Sequence, residues 1–66
     1  MKTSVDFTVQ NEGSIFLLQA WTDAARSWVE EFLPEDRMEF TGAVVVEHRY
    51  IQDIVDGIRR DGLGVA

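Results

Sequence analysis

The residues in this chain best placed to do chemistry are Glu47 and His48, because an imidazole beside a carboxylate is the smallest unit of an acid-oriented general base. They fall at a strand-to-helix junction. Neighbours on a strand point to opposite faces, so a direct Glu47–His48 pair is disfavoured. The expected role of His48 is structural, either capping the helix that follows or packing beside Val44 and Val46. Ser4, Ser14 and Ser27 stand in no G-x-S-x-G elbow, and Ser27 falls on the polar side of a helical pattern. Glu35, Asp36 and Glu39 carry the oxygen ligands that hard cations want, yet they lack the D-x-D-x-D-G run of a calcium loop. No glycine-rich stretch follows a strand and opens a helix as a phosphate cradle would, and Gly62-Leu63-Gly64 reads as a frayed end. Zero cysteines remove a thiolate nucleophile, a disulfide framework and the usual ligands of structural zinc. The expectation is a non-enzymatic chain with no catalytic residue, no metal and no cofactor.

The remaining distinctive feature is charge. Glu30, Glu31, Glu35, Asp36 and Glu39 place five carboxylates against one cation, Arg37, and the whole chain has a formal net charge of −6 with a pI near 4.4. Phosphate binding needs clustered Lys and Arg to release counterions, so direct nucleic-acid binding is disfavoured. The same carboxylates attract a basic protein surface. Trp21, just before a helix start, is a candidate interface anchor beside them.

These residues are positioned by a pattern of short elements. Thr3–Gln10 alternates apolar and polar residues, with Val5, Phe7 and Val9 inward and Asp6 outward, as in a half-buried strand. Asn11-Glu12-Gly13 is a turn, and Ile15-Phe16-Leu17-Leu18 makes a second strand whose four apolar residues point to both faces. Thr22 is the expected N-cap of a helix ending before Pro34, with Ala24, Ala25, Trp28, Val29, Phe32 and Leu33 on its apolar side. On its polar side Arg26 and Glu30 are spaced to pair. Met38–Phe40 and Ala43–Val46 flank Thr41-Gly42 as a second hairpin. A second helix begins near His48 to Tyr50, with Tyr50, Ile51, Ile54, Val55 and Ile58 inward, and Gly62 is placed to end it with Leu63 as the accompanying contact. Gly57 within it implies close approach to the first helix or the sheet. The expected architecture is a single α+β domain over residues 1–66, with order β-β-α-β-β-α and two helices on one face of a small antiparallel sheet. Ile15–Leu18 and Val45 would then leave an apolar patch on the other face.

The segments Gly13–Leu18, Ala24–Glu31 and Val44–Ile51 resemble short proteins of bacterial mobile elements over about residues 13–63. In size and acidity the chain also resembles phage and plasmid anti-CRISPR proteins. That resemblance implies an inhibitor of a CRISPR effector complex, whose channels for nucleic acid are basic. Two functions are therefore expected. In the first, Glu30, Glu31, Glu35, Asp36, Glu39 and Trp21 bind a basic nucleic-acid-binding protein in the cytoplasm of a bacterial host. In the second, the chain is a homodimeric accessory module, joined through the spare sheet face, whose acidity only keeps it soluble. No membrane contact is expected, since no apolar run approaches the ~20 residues of a span.

Overall fold

The computed structural model describes residues 5–66. It has strands β1 (Phe7–Asn11) and β2 (Ile15–Ala20), helix α1 (Asp23–Phe32), strands β3 (Glu39–Phe40) and β4 (Ala43–Glu47), and helix α2 (His48–Arg60). This is the expected β-β-α-β-β-α order. The strands form one antiparallel sheet in the order β1-β2-β4-β3. Among the described residues no helix is long and apolar enough to cross a membrane.

Residues paired across an antiparallel ladder share a face. Val9↔Leu18, Phe16↔Val46 and Leu18↔Val44 therefore place Phe7, Val9, Phe16, Leu18, Ala20, Val44 and Val46 on one side. On that side they pack with Ala25, Trp28 and Val29 of α1 and Ile51, Ile54 and Ile58 of α2. Both helices thus cover one face. Phe7, Leu18 and Ile58 are fully buried, each stabilising the fold by roughly 1.5–3 kcal/mol through apolar transfer. The Phe7 and Trp28 rings meet edge to face at 5.9 Å, and the Trp28 indole donates to Asp61 at 2.7 Å, joining α1 to the end of α2.

The ends of both helices follow their sequence signals. The Thr22 hydroxyl accepts the Ala25 amide at 3.1 Å, the N-cap bond. At the end of α2, Gly62 takes φ +85° while its amide donates to Arg59 O and the Leu63 amide donates to Ile58 O, the two bonds of a Schellman ending. Gly57 faces Trp28, as its position implied. A methyl there would stand 3.5 Å from Trp28 Cζ2, an ordinary contact, so space for alanine exists.

Several expectations are corrected. Of the Thr3–Gln10 strand, Thr3 and Ser4 lie outside the described residues, and β1 starts only at Phe7. Val5 is exposed and Asp6 is buried, the reverse of simple alternation. The reason is the C-terminal tail, which is not frayed. The amides of Asp6 and Phe7 both donate to Gly64 O, Ala66 donates to Phe7 O and Val9 donates to Ala66 O, so Val65 bridges Phe7 in parallel along the outer edge of β1. The Asp6 carboxylate turns into this junction, accepting the Gly64 amide at 2.9 Å and the Thr22 hydroxyl at 2.6 Å. Tyr50 is about half exposed instead of inward, in the first turn of α2 with the Arg49 guanidinium 5.3 Å from its ring centre. Arg26 pairs with Asp23 and not with Glu30, whose carboxylate is taken by Arg37. Met38 precedes β3, although its carbonyl still accepts the Val45 amide.

Two outcomes test this description. The Asp6 carboxyl is held below its ordinary value of 3.8, first by the Gly64 amide and then by the Thr22 hydroxyl, with burial opposing them. A carboxylate whose pKa is lower folded than unfolded stabilises fully above the unfolded value and loses that contribution as pH falls through the folded one. Asp6→Asn should therefore melt below the wild type at neutral pH, with the two melting temperatures converging as pH drops below 3.8; parallel curves would contradict the assignment. In the β3–β4 turn, Thr41 and Gly42 take φ of 50° and 85°, a type I′ pair that a β-branched residue adopts under strain. Thr41→Asn should relieve about 1 kcal/mol, raising the melting temperature by roughly 4–8 °C in calorimetry.

Candidate functional site

The five clustered carboxylates lie at the C-terminal end of α1, in the connection that follows and at the start of β3. The organising residue is Arg37. Its guanidinium donates to Pro34 O at 3.0 Å, to Glu30 at 2.7 Å and to Glu39 at 3.2 Å, and its side chain is only 12% exposed. One cation thereby folds the connection over the end of α1 and holds two of the five acids to itself at the surface. Proline ends the helix at this point because its ring and missing N–H forbid continuation, while the Leu33 amide still closes on Val29 O. Glu31, Glu35 and Asp36 are exposed, and among the described residues no salt bridge reaches them. Glu30 and Glu39 retain exposed oxygens but share the charge of Arg37.

Trp21 does not join this group. It precedes the N-cap, whereas Glu30 and Glu31 end the helix, and α1 is about 15 Å long at 1.5 Å per residue. Its indole donates to Thr8 Oγ1 at 2.8 Å. Thr8 pairs with Gln19, two residues along from Leu17, so Trp21 edges the sheet face opposite the helices. That face carries half-buried Ile15, Leu17 and Val45, buried Ala43 and exposed Phe40, the spare apolar patch expected from the second strand.

The pair examined for acid–base chemistry is separated by its partners. Glu47 pairs with Arg49 at 3.2 Å. His48 neither caps α2 nor packs beside Val44 and Val46: it is exposed, with Nε2 2.7 Å from Gly13 O and its ring 4.7 Å from that of Phe16. The imidazole therefore ties the β1–β2 turn to the start of α2. Asp56 accepts from Gln52 and Asp61 from Trp28, so these two acids have local roles, whereas Asp53 of α2 lines the same cleft as Pro34, Arg37 and Met38 of the acidic connection.

The sequence did not disclose an apolar groove of about 400 Å³ between the end of α1 and the first half of α2. Leu33, Pro34, Met38, Val44, Val46 and Ile54 contribute to its walls, with Tyr50 and Asp53 along one side. Its lining comes from the end of α1, the connection, β4 and α2, segments brought together by tertiary placement and not by periodicity.

If Arg37 organises the connection, Arg37→Ala should leave the core intact and lower stability by no more than about 1 kcal/mol, since both ion pairs are solvent-exposed on the acid side. Exchange of the Val45 amide, which reports the Met38 contact, should nevertheless accelerate in hydrogen-exchange NMR. No protein-family model, curated protein or solved structure matches this chain.

Proposed function

We propose that this chain is a non-enzymatic binding protein that presents its acidic end to a basic, nucleic-acid-binding surface of another protein and blocks it. The observation that carries the reading is the arrangement around Arg37: Glu31 in the last turn of α1 and Glu35 and Asp36 on the connection stay exposed, with that connection pinned by the guanidinium to Pro34, Glu30 and Glu39. A fixed array of negative charge offers a basic groove the potential that phosphates would, and association is steered by it. The narrower proposal, inhibition of a CRISPR effector complex, is supported by the chain's likeness to phage and plasmid anti-CRISPR proteins in size and acidity and by the basic channels of such effectors.

A second reading is favoured by a separate observation. In a chain of net charge −6, the sheet face bearing Thr8, Gln10, Ile15, Leu17, Gln19, Ala43 and Val45 carries one acid at its end, Glu47 opposite Ile15, and Arg49 pairs with it at 3.2 Å. Two copies burying the apolar centre of this face would leave that paired acid at the rim, which supports a homodimer. Sedimentation equilibrium separates the readings: a dimer that Leu17→Asp converts to monomer favours the second.

The first reading is tested by capture of a purified CRISPR effector on the tagged protein at low and high salt. Retention should weaken as salt rises. In the triple variant Glu31→Lys, Glu35→Lys, Asp36→Lys the association rate should fall roughly 10- to 1000-fold with unchanged circular dichroism. Equal capture by wild type and variant would reject the acidic end as the contact.

A further inference from the structure

The groove between α1 and α2 and the acidic connection share one wall. Pro34, Arg37 and Met38 line the groove, and Glu35 and Asp36 lie between them in the chain. Its floor is aliphatic, from Val44, Val46, Leu33 and Ile54, and its lips are Met38, 70% exposed, and Tyr50, 51% exposed. Such a volume falls within the roughly 300–1,000 Å³ typical of ligand pockets, and Met and Tyr are enriched where proteins meet.

The charges around it have one sign in excess. Arg37, the cation lining the groove, is occupied by Glu30 and Glu39, and Arg49 is occupied by Glu47. Asp53, which lines the groove, and Glu35 and Asp36 on the shared connection are in no salt bridge among the described residues. An apolar cleft rimmed by unpaired carboxylates complements an apolar side chain flanked by Lys or Arg, because the anchor gains from desolvation while the flanking cations gain from the rim.

We propose that this groove is the anchor site of the acidic surface, and that it takes a peptide segment of a protein partner in which one or two large apolar residues are flanked by basic ones. The inference rests on the protein-binding reading and deepens it: charge steers the partner, and the groove holds it. A purely electrostatic phosphate substitute would need no such cleft.

The test is an NMR titration of the labelled protein with two peptides of equal charge, Lys-Lys-Leu-Phe-Lys-Lys and a control with Gly-Ser in place of Leu-Phe. The proposal expects Leu-Phe to bind about tenfold or more tighter than the control, shifting the Val46, Tyr50 and Ile54 amides. In Met38→Asp and Tyr50→Asp, both at exposed positions, that advantage should vanish while binding of the control persists. Equal binding of both peptides, with shifts confined to residues 30–39, would overturn the groove and leave the acidic reading standing. Binding of neither peptide would overturn both. A Leu-Phe advantage mapping to Leu17 and Val45 on the opposite face would also overturn it, locating the apolar contact on the open sheet.

Discussion

The structure depends on one buried carboxylate. Asp6 accepts the Thr22 hydroxyl with one oxygen and the Gly64 amide with the other, while its own amide donates to Gly64 O and its carbonyl accepts the Trp21 amide. Three segments distant in sequence are tied at this point: the start of β1, the Trp21-Thr22 junction that caps α1, and the C-terminal tail. Thr22 serves twice, since the hydroxyl that donates to Asp6 also accepts the Ala25 amide. A small domain buries a limited share of its surface, so satisfied polar junctions of this kind weigh heavily in holding it to one arrangement. The tail laid along β1 by this junction also covers the outer edge of that strand, which would otherwise present unpaired backbone groups.

Closure at one end of the molecule leaves the other end open. The Asp6 junction sits at the N-terminus of α1 and beyond the C-terminus of α2, whereas the groove and the Arg37-centred connection sit at the C-terminus of α1 and along the first turns of α2. Trp28 reinforces the closed end by bonding Asp61 and meeting Phe7. At the open end the sheet's edge strand is the two-residue β3, and the groove beside it is lined by Met38 and Tyr50, which remain half or more exposed. Strong packing and unspent surface are thus segregated along the two helices, an arrangement suited to a rigid binding module.

Local signals disclosed most of the architecture. Thr22, Gly62 and Thr41-Gly42 each mark a cap or turn through short-range backbone chemistry, and of the apolar side expected for α1, Ala25, Trp28 and Val29 are buried and Leu33 packs against the core while Ala24 and Phe32 are exposed. The failures share a cause. Asp6 looked outward because alternation says nothing about a partner 58 residues away, and Gly64–Ala66 looked frayed because its pairing is with the opposite end of the chain. Arg26 was matched to Glu30 by helix spacing, but Arg37, arriving from the following connection, has the better approach. Of the candidate site, the five carboxylates do gather about α1's end, while Trp21 is separated from them by the length of that helix and faces the open sheet. The groove was hidden because its walls come from four segments that only the tertiary fold brings together.

The central claim is that binding occurs at the open end, where the acidic connection walls the apolar groove. The most direct measurement is cross-saturation NMR of the isotope-labelled protein in complex with a captured basic partner. The account predicts saturation transfer at Glu31, Glu35, Asp36, Met38, Tyr50 and Ile54, with Ile15, Leu17 and Val45 unaffected. Transfer confined to Ile15, Leu17, Trp21 and Phe40 would contradict it and assign recognition to the open sheet face.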